Sequence, residues 1–125
     1  MSNLTDRLGG ARASLAFKAP CRVATTASIT LSGWQTIDGV AMASTDADNG
    51  YNIRVLVKNQ TTTSENGIYE PSTGAWTRAK DMDGSLDIVT GTRVYVANGA
   101  TASGGYVITT ADPITIGTTS LTFTS

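Results

Sequence analysis

The feature that most constrains this sequence is its division into short runs of β-branched and aromatic residues, separated by glycine, asparagine and aspartate. Residues 54–58 form the clearest run, and the tight-turn signals Asp38-Gly39 and Asn66-Gly67 precede further runs. About nine such runs follow one another at close spacing. The sequence therefore predicts an all-β fold, a compact β-sandwich or small barrel of short antiparallel strands with an N-terminal arm.

Composition supports this fold class. Thr, Val and Ile supply 37 of the 125 residues, and Thr alone supplies 21. These side chains lose freedom in helices but fit a pleated sheet. The hydrophobic share of 40% is enough for one core at this length. We expect one β domain over residues 21–125, preceded by a docking arm over residues 1–20.

The arm shows no strand pattern but carries an apolar stripe. The stripe consists of Leu4, Leu8, Ala11 and Leu15. Their spacings of four, three and four residues suit one face of a helix, although Gly9-Gly10 interrupts the helical pattern. The arm is either a frayed terminus or a segment that docks on a neighbouring subunit, and the following Phe17 favours docking. The residues predicted at this assembly interface are Leu4, Leu8, Leu15 and Phe17.

Several classes of function are not indicated by the sequence. It contains no histidine, which excludes Ser-His-Asp and Cys-His catalysis and His-ligated zinc. Cys21 is alone, so it cannot form an intrachain disulfide, and we expect a buried thiol. A formal net charge of −1 gives no electrostatic footprint for nucleic acid or an anionic membrane. We expect no enzymatic activity, no cofactor, and neither nucleic acid nor membrane as partner.

The start of the chain also lacks a targeting pattern. Its first residues have no basic segment followed by an apolar core, and no run approaches the roughly 20 apolar residues that span a bilayer. We therefore expect synthesis in the cytoplasm.

The loop at residues 81–87 places three carboxylates and a glycine within seven residues. This is enough oxygen to raise the question of calcium, but the later glutamate and flanking helices of an EF-hand are missing. Two carboxylates in one loop also suggest glycosidase chemistry, which requires a defined separation between them. A solvated acidic loop is the expectation, with no metal site and no catalytic residue.

Aromatic residues offer a binding alternative. A sugar-stacking platform would use aromatic faces, although such residues more often pack in the core or interfaces of β proteins: the candidates are Trp34, Tyr51, Tyr69, Trp76, Tyr95 and Tyr106.

A faint repeat relates residues 54–64 to residues 93–103, with six of eleven positions identical. Both copies contain Arg-Val-x-Val-x-Asn, a small polar loop, and then glycine leading into an apolar and aromatic strand. The pattern predicts two similar hairpins, from duplication or from shared hairpin chemistry. We expect both first strands to be central and buried on two faces, with a core that includes Val55, Leu56, Val57, Ile68, Val94, Val96 and Val107.

Six motifs in a fixed order carry a family resemblance. They are Arg22-Val23-Ala24-Thr25-Thr26-Ala27, Leu31-Ser32-Gly33, Gln35-Thr36-Ile37-Asp38-Gly39-Val40, Arg54-Val55-Leu56-Val57-Lys58-Asn59-Gln60-Thr61, Glu65-Asn66-Gly67-Ile68-Tyr69 and Trp76-Thr77-Arg78-Ala79. This series resembles a module of tailed-bacteriophage and prophage virion proteins that are often described as tail fibre proteins, and it covers residues 19–125. Residues 44–53 replace a shorter turn, which is expected to alter a contact surface.

The resemblance implies a structural, non-enzymatic protein of the virion, assembled in the host bacterial cytoplasm. An exterior assembly module, for capsid decoration or fibre attachment, is the first hypothesis, because an arm at residues 1–20 precedes a domain too short for a complete fibre shaft. Its expected partners are its own copies, as a homotrimer by resemblance to phage fibres, and other virion proteins. An alternative is a receptor- or carbohydrate-binding tip module of a tail fibre, with a host surface glycan as partner. A hydrolase of host polysaccharide ranks third, because it rests on the carboxylate loop alone.

Overall fold

The fold is all-β, as the sequence predicts, and its strands are short and mostly antiparallel. The computed structural model describes residues 16–44 and 54–125. The strands in these ranges are β1 (Val23–Ala24), β2 (Thr36–Ile37), β3 (Val40–Ala41), β4 (Val55–Val57), β5 (Gly67–Glu70), β6 (Thr77–Arg78), β7 (Arg93–Val96), β8 (Gly104–Ile108) and β9 (Phe123–Thr124). Two 3-10 turns, Thr63–Glu65 and Lys80–Met82, lie between strands.

Three sheets make up the described part of the chain. A central sheet has the order β1-β4-β5-β6, β2 and β3 form a hairpin, and the third sheet has the order β7-β8-β9. Only the β1–β4 pair is parallel among these ladders. The short strands follow from the frequent turn residues between apolar runs.

The central sheet is buried on both faces. Successive residues of a strand point to opposite faces, and Leu56 belongs to one hydrophobic cluster while Val55 and Val57 belong to another. The first cluster contains residues of the β7-β8-β9 sheet, including Val94, Val96 and Ile108. The second contains Ile37 of β2 and Met42 directly after β3, together with Trp76 directly before β6. The fold therefore has three layers, with β4 at its centre.

Most of the predicted core is confirmed. All three residues of β4 are buried, as are Ile68, Val94 and Val96. The prediction is wrong for Val107, which is half-buried because Ile108 takes the inward position on β8. It is also wrong in giving β7 two buried faces, because Arg93 and Tyr95 alternate with buried valines and are exposed.

Residues 17–24 pair with both the β7-β8-β9 sheet and the central sheet. Phe17 and Cys21 form parallel bridges to Arg93 and Val96 of β7, and the chain then continues as β1 alongside β4. Backbone hydrogen bonds hold this segment and the residue after it; among them are Lys18 N to Arg93 O (2.8 Å), Cys21 N to Tyr95 O (2.8 Å), Arg22 N to Arg54 O (2.9 Å) and Thr25 N to Leu56 O (2.9 Å).

The structure contains the two similar hairpins that the sequence repeat predicts. Val57 lies opposite Gly67 in β4–β5, and Val96 lies opposite Gly104 in β7–β8. Both glycines have positive φ, 154° and 124°. Two residues after each glycine, a tyrosine hydroxyl donates to the carbonyl four residues earlier: Tyr69 to Glu65 O (2.5 Å) and Tyr106 to Ala102 O (2.8 Å). The two hairpins therefore share this tyrosine hydrogen bond in addition to the identities among the eleven aligned positions.

Candidate functional site

The outer face of the β7-β8-β9 sheet carries a groove of about 370 Å³. Its lining residues are Phe17, Lys18, Arg93, Val94, Tyr95, Gly105, Tyr106, Val107, Thr124 and Ser125. Gly105 lies opposite Tyr95 in the β7–β8 ladder, and a Cβ built on Gly105 would meet nothing within 4 Å. The missing side chain at Gly105 therefore leaves open space beside the Tyr95 ring.

Two exposed aromatic side chains flank this space. Phe17 is 66% exposed and Tyr95 is 59% exposed, although large apolar groups are usually covered. The parallel bridge from Phe17 to Arg93 places the first described residues of the arm beside β7. Exposed aromatic residues with a neighbouring arginine are the side chains enriched at protein interfaces.

Lys18 anchors the segment next to this groove. Its side chain is buried, and Nζ donates to the backbone carbonyl of Asp87. Burial lowers the pKa of Lys18, while the nearby carboxylates of Asp81 and Asp87 act in the opposite direction. Lys18 is therefore a structural contact between the arm and the acidic loop.

Arg54 forms a second anchor beneath the same segment. Its Nη1 and Nη2 atoms each donate to a carboxylate oxygen of Asp81 at 3.0 Å, and Nη2 also donates to Ala19 O at 2.9 Å. The nearby Cys21 thiol is buried and free, as predicted, and burial raises its pKa to about 12. Nothing local in the sequence reveals the Arg54–Asp81 pair, because 27 residues separate its members.

The acidic loop uses its carboxylates within the protein. Asp81 binds Arg54, and one oxygen of Asp87 accepts from the backbone N–H groups of Asp83 (3.2 Å) and Gly84 (3.0 Å). Residues 16–44 and 54–125 contain no group of three or more His, Cys, Asp or Glu side chains that could hold a metal ion. Two of the three carboxylates of the loop, those of Asp81 and Asp87, therefore make structural contacts.

The six aromatic residues do not form one platform. Tyr69 and Trp76 are buried in the second hydrophobic cluster, and Trp34 packs against it. Tyr106 packs against the first cluster, and Tyr51 lies outside the described residues. Most of the set is packed, which leaves Tyr95 as the exposed member at the groove.

Asp38 fixes the turn that closes the second hairpin, a role that sequence reasoning missed. Its carboxylate accepts from Thr101 N (3.0 Å), Thr101 Oγ1 (2.8 Å) and Ala102 N (2.7 Å). The backbone N–H groups of Thr101 and Ala102, followed by the Thr101 hydroxyl, lower the pKa of Asp38. The Asp38-Gly39 pair signals a turn, but a partner 63 residues away leaves no local pattern.

Of the predicted assembly residues, the structure places Phe17 at the groove. Leu4, Leu8 and Leu15 lie outside the described residues. Sequence reasoning missed Arg93, Gly105 and Tyr95 as groove residues. The signal for two of them is the alternation Arg93-Val94-Tyr95-Val96, which is typical of a strand with one solvent-facing side.

Comparison with protein-family models, curated proteins and solved structures finds no significant match to this chain. Within the described ranges, no helix is long and apolar enough to cross a membrane.

Proposed function

We propose that this chain is a non-enzymatic structural protein of a tailed-bacteriophage virion, an exterior assembly module for capsid decoration or fibre attachment. The motif series that resembles phage virion modules supports the class. The observation that carries the proposal is the aromatic-flanked groove beside Phe17, where the arm joins the β domain. The last residues of the predicted arm lie there beside exposed aromatic side chains.

The chemistry of the groove suits contact better than turnover. Its lining is largely apolar or aromatic, and Phe17 and Tyr95 provide large areas that lose little conformational freedom on binding. Of its two cationic side chains, Lys18 already donates to the backbone of Asp87. A surface of this kind buries apolar area against a partner, which is the main favourable term in protein association.

Incorporation into particles tests this proposal. We expect a variant lacking residues 2–15 to fold but to be absent from purified particles, because the described contacts of the segment begin at Phe17. Tyr95→Ala should reduce incorporation, whereas Leu86→Ala, at a side chain 92% exposed and outside the groove, should not. Mass spectrometry of the particles measures copy number, and circular dichroism checks folding. Normal copy number in both the deletion and Tyr95→Ala would refute the proposal.

The groove also favours one alternative, a carbohydrate-binding tip module. Phe17 and Tyr95 are exposed, and Arg93 lies beside them as a hydrogen-bond donor for hydroxyl or carboxylate groups. A glycan array separates the two functions. Binding that Tyr95→Ala abolishes and Leu86→Ala retains would support the tip module, and absence of binding would argue against it.

A further inference from the structure

We infer that the groove on the β7-β8-β9 sheet is the docking site for residues 1–15 of a second copy of this chain. The inference deepens the proposed function by naming the partner of the arm. It rests on that function in one respect, which is that residues 1–20 act as a docking arm.

The groove provides an apolar receptor of suitable size. Its volume of about 370 Å³ is in the range of sites that enclose small ligands, and a few leucine side chains would fill it. Val107 and the Phe17 and Tyr95 rings supply apolar contacts, while Gly105 leaves depth between them. The sequence supplies a matching apolar set, Leu4, Leu8 and Leu15.

The direction of the chain favours docking of the arm on the groove of a second copy over docking on its own groove. Phe17 bridges Arg93 in parallel orientation, so the chain passes the groove while running from the Arg93 end of β7 toward Val96. An arm of the same copy would have to reverse its direction to enter this groove, whereas the arm of a second copy needs no reversal.

The arm is long enough to reach a neighbour. Fifteen residues precede Ala16, and in extended form they span up to about 50 Å. A domain of this size has a radius of gyration of about 13 Å. Each copy donates one arm and accepts one, so the exchange closes as a ring or as a reciprocal pair.

Complementation between two variants tests this arrangement. The arm variant keeps the full chain and carries Leu4→Ser, Leu8→Ser and Leu15→Ser. The groove variant is Gly105→Leu, which places a side chain where a Cβ meets no atom within 4 Å. Gly74→Leu is the matched control, because a Cβ there also meets nothing within 4 Å and Gly74 is not in the groove.

Sedimentation velocity and native mass spectrometry on the purified chains give the readout. We expect the unmodified chain and Gly74→Leu to self-associate, and each variant alone to be at least tenfold weaker. Mixing the two variants should produce a complex with one copy of each, because one supplies an intact arm and the other an intact groove. Circular dichroism verifies that each variant folds.

Three results would overturn the inference: a monomeric unmodified chain at about 100 μM, undiminished self-association of Gly105→Leu, or no complex in the mixture. A monomer whose arm packs on its own groove falls under the first result. The experiments distinguish failure of this inference from failure of the proposed function. A chain that exchanges arms in solution but is absent from particles refutes the virion proposal alone, and a monomeric chain that enters particles refutes the exchange alone.

Discussion

Replacing Asp81 by asparagine should lower the free energy of unfolding by about 2–3 kcal/mol. The Arg54 residue is 8% exposed and makes two 3.0 Å hydrogen bonds to the Asp81 carboxylate. Its Nε is buried without a hydrogen-bond partner, so the Asp81 carboxylate supplies much of the compensation for this charge. Removing one member of a buried pair typically costs about 3–5 kcal/mol. The Asp81 side chain is 31% exposed, so water reaches the site and reduces that cost.

A second substitution, which removes the buried Arg54 charge as well, shows whether the unpaired charge causes the loss of stability. Arg54→Met combined with Asp81→Asn leaves no unpaired guanidinium, so the double variant should recover more than half of the loss seen with Asp81→Asn. Asp83→Asn is the matched control, an exposed carboxylate in the same loop, and should change stability by less than about 0.5 kcal/mol.

Urea denaturation at pH 7, followed by circular dichroism, measures five chains: the unmodified chain, Asp81→Asn, Arg54→Met, the double variant and the Asp83→Asn control. The first four give the double-mutant cycle. A loss for Asp81→Asn no larger than that for Asp83→Asn would refute the reasoning. Additive losses in the double variant would also refute it, because they would show that Arg54 and Asp81 do not depend on each other.

Three further predictions concern other parts of the fold. Hydrogen bonds hold the pKa of Asp38 below its ordinary value, so the ionised carboxylate stabilises the fold above the ordinary aspartate pKa, and this stabilisation is lost as pH falls through the lower folded value. Denaturation curves from pH 7 to pH 2.5 should therefore show a smaller loss of stability in Asp38→Asn than in the unmodified chain. Cys21 is fully buried with a pKa of about 12, so Ellman's reagent at pH 8 should label it in urea and not in the native protein; rapid native labelling would contradict the burial. Gly99→Ala should cost at least about 1 kcal/mol more than Gly117→Ala, because both have positive φ but only a Cβ at Gly99 meets Asp38 Oδ2, at 2.5 Å; equal midpoints in urea would contradict this.

Local chemistry explains what the sequence predicts well. The run Val55-Leu56-Val57 has no polar face, so it indicates a strand between two layers, and the structure buries all three residues. The repeat identifies both hairpins because six of the eleven positions that begin at Arg54 and at Arg93 are identical, and each copy leads into a strand with a glycine and a tyrosine. Such features depend on neighbours in the chain, and a single sequence records them.

What the sequence does not predict depends on distant partners. Val107 and Ile108 are both apolar, and pairing with β7 and β9 decides which of them faces inward. The Arg54 charge is buried because Asp81 and the carbonyl of Ala19 meet it from separate segments. The groove likewise combines Phe17 with Tyr95 of β7 and Gly105 of β8, so its aromatic flanks cannot be recognised before these segments are brought together.

The parallel run of residues 17–24 has a mechanical consequence. A force that pulls residue 17 away from residue 24 along the chain acts across the slanted hydrogen bonds of this run with β7 and β4. The bonds of Lys18, Cys21, Arg22 and Thr25 therefore carry the load together in shear, and they do not open one after another as in an unzipping hairpin. The Arg54 contact to Ala19 O ties the middle of the run to the same sheet. Tension applied at the arm is thereby spread over both hairpins of the fold.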